Sequence, residues 1–118
     1  VAGCPYPLQV FISQSWQYAH PADEYGADEE RLLGAIEQDV LPLAGPVLDA
    51  IHRRIGLDAY GLDVHVRKDG SLLLCKISAD MDFLAVSNEN RPLQQVCAAR
   101  ARAALARRLG RFLRAKAT

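Results

Sequence analysis

Apolar and polar residues alternate with two different periods along this chain, and the changes of period mark its elements. Pro7-Leu8-Gln9-Val10-Phe11-Ile12-Ser13 is rich in β-formers and predicts a strand. Trp16-Gln17-Tyr18-Ala19-His20 predicts a second, short strand, joined to the first through the polar Gln14-Ser15. After an acidic loop, helical spacing begins near Ala27-Asp28 with Leu32, Leu33, Ile36 and Val40. Asp28, Glu29 and Glu30 suit a helix start, where backbone N–H groups point outward. Pro42 and Pro46 predict a break or kink. A second helix then carries Val47, Leu48, Ile51 and Ile55, with Arg53 and Arg54 in its last turn and Gly56 as C-cap.

The strongest β pattern follows. In Tyr60–Arg67, Leu62, Val64 and Val66 alternate with Asp63, His65 and Arg67. Asp69-Gly70 is a hairpin signal, and Ser71–Ser78 returns as the partner strand. Strict alternation puts Cys75 on the face opposite Lys76, in the core. Residues 80–91 read as loop. From Pro92 a long helix runs to about residue 116, with Leu93, Val96, Cys97, Ala101, Ala104, Leu105, Phe112 and Leu113 as its apolar stripe. Gly110 weakens its last turns. These elements predict an α+β fold, an antiparallel sheet with helices packed on one face.

At 118 residues, the chain is expected to form a single domain over 1–118, and a 50% hydrophobic content supplies a core. Net charge is zero, which argues against nucleic acid as partner. The charge is segregated, however. Residues 1–50 hold eight acids and one base, Arg31, whereas 92–118 hold seven bases and no acid. The basic helix, with Arg100, Arg102, Arg107, Arg108, Arg111, Arg114 and Lys116, is expected to answer the acidic segment within the chain or in a homo-oligomer; a basic tail that tracks phosphates or an anionic membrane surface is the second reading. Cys4, Cys75 and Cys97 lack metal-ligand spacing and predict free thiols in a reducing, cytoplasmic setting. No apolar run reaches membrane-spanning length, so no membrane partner is expected. The first residue is Val, not Met, which suggests an N-terminal remainder in a longer chain.

Asp63 on one strand of the hairpin, and Lys76 and Ser78 two apart on the other, are placed to converge on one face. Around these residues the chain resembles the ATP-grasp superfamily, over about residues 6–84 and most closely over 56–81. Gly61-Leu62-Asp63-Val64 resembles that family's aspartate-bearing strand, and Asp69-Gly70 its hairpin turn. Leu74-Cys75-Lys76-Ile77-Ser78-Ala79-Asp80-Met81 is similar to the strand that usually carries a glutamate and an asparagine. Asp63 and Lys76 are thirteen positions apart, as the family's aspartate and glutamate are.

The resemblance implies the C-terminal subdomain of a carboxylate–amine ligase that holds ATP and magnesium. Asp63 would then be a metal ligand, with Lys76 and Ser78 at the other two cofactor positions. Those two positions depart from the family. An ammonium cannot ligate magnesium, and a charge pairing at about 4 Å is worth about 4 kcal/mol at an intermediate dielectric. The chain is therefore expected to be catalytically inactive, with Lys76 pairing with Asp63 in place of the cation. Tyr60, Trp16 and Tyr18 are candidates for ligand stacking or for core and edge packing, His65 for a base or a plain surface residue, and Asp80 and Asp82 for nearby carboxylates or an ordinary loop. The alternative is a non-catalytic interaction or oligomerisation module built on the acidic and basic helices.

Overall fold

The computed structural model describes residues 1–10, 12, 26–67, 69, 71–79 and 91–117. Their element order is α1 (Gly26–Asp39), α2 (Leu41–Ile55), β1 (Gly61–Val66), β2 (Leu72–Ser78) and α3 (Pro92–Ala117). The expected α+β class is observed. Pro7–Val10 and Ile12 are not in a strand. The second expected strand, at 16–20, lies outside the described residues.

The helix boundary near the prolines falls at Val40, a turn between α1 and α2. Pro42 sits in the first turn of α2, where a missing N–H leaves no intrahelical bond unmade. Pro46 does not end the helix; α2 continues through it to Ile55. Gly56 closes α2 with φ 68°, and its N–H donates to the His52 carbonyl. Only glycine takes that left-handed conformation without steric cost.

The helices pack on one another, α1 against both α2 and α3. Leu33 of α1, Ala44 of α2 and the α3 residues Cys97, Ala98, Ala101 and Ala104 are buried. Sealing off a leucine such as Leu33 stabilises by about 1.5–3 kcal/mol. The buried face of α3 is rotated from the expected stripe. Gln94 joins it, while Val96, Phe112 and Leu113 are exposed. Short alanine side chains let α3 approach α1 closely, so the inward face is chosen by size as much as by hydrophobicity.

A buried ion pair ties the start of α3 to the start of α1. Arg91 Nη1 donates to Glu29 Oε2 at 2.6 Å and to the Gly26 carbonyl at 3.1 Å. Glu29 Oε1 accepts from the Ile12 N–H at 2.9 Å. Next to it, Glu30 Oε2 accepts from the Leu93 N–H at 2.8 Å, which satisfies a donor that the first turn of α3 would otherwise leave unpaired. Glu30 Oε1 is buried with no hydrogen-bond partner.

β1 and β2 form a two-stranded antiparallel ribbon. Most of its side chains are exposed, so the expected layer of helices against one face of the sheet is not seen among the described residues. At the turn, Asp69 accepts from the Ser71 N–H at 2.9 Å and from the Ser71 hydroxyl at 2.7 Å, while the Arg67 N–H donates to the Ser71 carbonyl. The hydroxyl bond first, then the backbone bond, holds the Asp69 carboxyl below its ordinary value.

Candidate functional site

The ribbon register decides which side chains share a face. Gly61 pairs with Ser78, Leu62 with Ile77 and Asp63 with Lys76, after which Val64 pairs with Leu74. Cys75 is thus an extra residue, a β-bulge, with no partner on β1. The bulge shifts the phase of β2. Side chains opposite each other across a ladder share a face. One face therefore carries Gly61, Asp63, His65, Leu73, Lys76 and Ser78. The other carries Leu62, Val64, Val66, Leu72, Leu74 and Ile77, all apolar.

The three expected site positions are thus brought to one face of adjacent strands. Asp63 faces Lys76 directly, and Ser78 lies two residues along from Lys76, opposite Gly61. Asp63 and Lys76 are exposed, and Ser78 is half-buried. The expected Asp63–Lys76 ion pair is not formed. The ion pairs among the described residues join Asp28 to Arg31, Glu29 to Arg91, Glu37 to Arg100 and Asp58 to Arg108. On a solvated face, two flexible side chains gain little from pairing and lose rotamer freedom.

This donor set does not fit magnesium. A hard cation wants several oxygen ligands. One carboxylate, with an ammonium on the facing position and a hydroxyl beyond it, offers too few and repels the ion. Among the described residues no group of three or more His, Cys, Asp or Glu side chains gathers as a metal site.

Other expected residues are distributed around the molecule. His65 is exposed on the Asp63 face. Cys75 is exposed rather than in the core, as are its neighbours Leu74 and Lys76, because no helix covers this ribbon among the described residues. Cys97 is buried, as its place in α3 predicts. Tyr60 is half-buried and stacks on His52, with ring centroids 5.8 Å apart and planes at 11°. Its hydroxyl lies 3.1 Å from His52 Nδ1, and burial pushes it above the ordinary tyrosine value. Trp16, Tyr18, His20, Asp80 and Asp82 lie outside the described residues.

The Glu29–Arg91 pair, which joins residues 62 positions apart, is absent from the sequence expectations. The basic helix is among them, but not the way three of its arginines are arranged. Arg107, Arg111 and Arg114 surround Gly110 on one side of the helix and, with Ala106, line an open surface hollow of about 420 Å³. The i, i+4, i+7 spacing of the arginines was the available signal.

The described parts define an α+β chain built from a three-helix cluster and an exposed ribbon. No known protein family, curated protein or solved structure matches it. No helix among the described residues is long and apolar enough to cross a membrane.

Proposed function

We propose that this chain is an ATP-grasp-like domain, a fragment or degenerate relative of a carboxylate–amine ligase, that performs no ligation as it stands. The observation that supports this is the pairing of Asp63 with Lys76, with Ser78 on the same face. These are the positions at which the resemblance calls for metal ligands, and the lysine reverses the charge that magnesium-ATP needs. Asp63 is retained, but a single carboxylate does not hold the cation against the facing ammonium.

Calorimetric titration with ATP, with and without magnesium, tests the reading on the parent chain and on a Lys76→Glu, Ser78→Asn variant. The parent is expected not to bind, and the variant to gain magnesium-dependent binding. Binding by the parent would overturn the inactive reading.

A second reading is favoured by a different observation, the aliphatic face that the Cys75 bulge assembles. Val64, Val66, Leu74 and Ile77 are each 39–46% exposed on that face. Exposed apolar faces rimmed by polar residues mark interaction surfaces. In this reading the chain is a non-catalytic interaction or homo-oligomerisation module, and neither chain in the titration binds ATP. Sedimentation across salt concentrations then separates a charge-driven dimer, which weakens with added salt, from an apolar one, which does not.

A further inference from the structure

Arg102 aside, the arginines of α3 and Arg91 just before it fall into two groups. Arg91, Arg100 and Arg108 each meet an acid of the same chain, Glu29, Glu37 and Asp58 respectively. Arg107, Arg111 and Arg114 meet none among the described residues, and all three are exposed. Their spacing puts three permanent positive charges on one side of a helix, over about 10 Å of its axis. Like charges three and four residues apart weaken a helix. No acid occurs anywhere in 92–118 to relieve them.

Gly110 sits between them. A glycine inside a helix is unfavourable relative to alanine. Here its missing side chain leaves the hollow open. A Cβ at 110 would meet Arg114 Nη1 at 3.4 Å, so the Arg114 guanidinium lies over the space that the glycine vacates. Guanidinium groups present paired N–H donors that match phosphate oxygens two at a time.

We propose that Arg107, Arg111 and Arg114, set around Gly110, form a binding cradle for a chain of phosphates. Three fixed charges along the axis suit a ligand with several negative charges in a row rather than one carboxylate. A free oligophosphate and a polynucleotide backbone share that chemistry. At 3.6 residues per turn, Leu109 lies about 140–160° around the axis from the three arginines, while the exposed Phe112 and Leu113 lie about 100° from Arg111 and Arg114 respectively. Soluble probes therefore address the phosphate chemistry without an apolar phase for those side chains to enter. The cradle is independent of the ribbon and of magnesium.

The test is calorimetric titration of the full chain with tripolyphosphate in low salt with a chelator present, alongside fluorescence anisotropy with labelled single-stranded dT12. Tripolyphosphate binding is expected, about tenfold or more weaker in an Arg111→Gln, Arg114→Gln variant. An Arg53→Gln, Arg54→Gln variant on α2 removes the same charge and keeps the parent affinity. Gly110→Leu fills the hollow. It is expected to raise helicity by circular dichroism and to weaken binding several-fold, which separates the cradle from helix stability.

Binding of dT12 in addition identifies a polynucleotide backbone as the source, and binding of tripolyphosphate alone identifies free oligophosphate. The proposal is overturned by no binding of either probe at millimolar concentration, by an equal loss in the Arg53, Arg54 variant, or by unchanged affinity in Gly110→Leu.

Discussion

Cys97 lies on the face of α3 turned toward α1, and desolvation pushes its thiol above the ordinary value. Glu37 and Glu30 add to that shift and Arg100 opposes it. The thiolate is the reactive form, so a raised thiol stays unreactive until the solution is more alkaline. Cys4 and Cys75 are exposed. With a thiol-specific chromogenic reagent at neutral pH, two thiols are therefore expected to react promptly and the third only on unfolding. Three equal rates would contradict the burial of Cys97. Its place was legible in the sequence because it sits at helical spacing with Ala101 and Ala104. That of Cys75 was not, because alternation within one strand carries no information about a residue left out of the ladder.

At the scale of elements, α1, α2, the hairpin and α3 were all legible, each through a period and a punctuating residue. Gly56 and Pro92 marked a helix end and a helix start directly. Of the expected break or kink at Pro46, a break does not occur, because α2 is supported by packing against α1 that local propensity does not register. The candidate positions Asp63, Lys76 and Ser78 were also legible, since they lie on the same side of the bulge as each other. The apolar face was only half legible. Leu72 and Leu74 join it only because Cys75 shifts their phase. Deleting Cys75 should therefore keep Val64 opposite Leu74 and make the ladder regular. Deleting Leu74 should place Cys75 opposite Val64 instead. Cross-strand nuclear Overhauser contacts from Val64 distinguish the outcomes, and loss of the Val64–Leu74 contact in the Cys75 deletion would refute the register.

At the scale of the whole molecule, the Glu29–Arg91 pair is the contact that joins three separate parts of the chain. Arg91→Ala would leave a buried carboxylate without its cation and should cost about 3–5 kcal/mol. A Glu29→Leu, Arg91→Met double variant removes both charges and should recover most of that loss, since desolving the pair already offsets much of its attraction. Urea unfolding of the three chains measures both values. Equal destabilisation by the single and double variants would show that packing, not charge, holds the joint. Nothing in the sequence announced this pair, because charge pairing across 62 positions depends on how the helices dock.

The alanine face of α3 has a thermal consequence. Among the described residues, the largest side chain that is fully buried is Glu29, and four of the six buried hydrophobic residues are alanines. Heat-capacity change on unfolding grows with the apolar surface released and falls with the polar surface released. The helical part should therefore unfold with a small heat-capacity increment and a shallow dependence of stability on temperature. It resists chilling better than its modest size suggests.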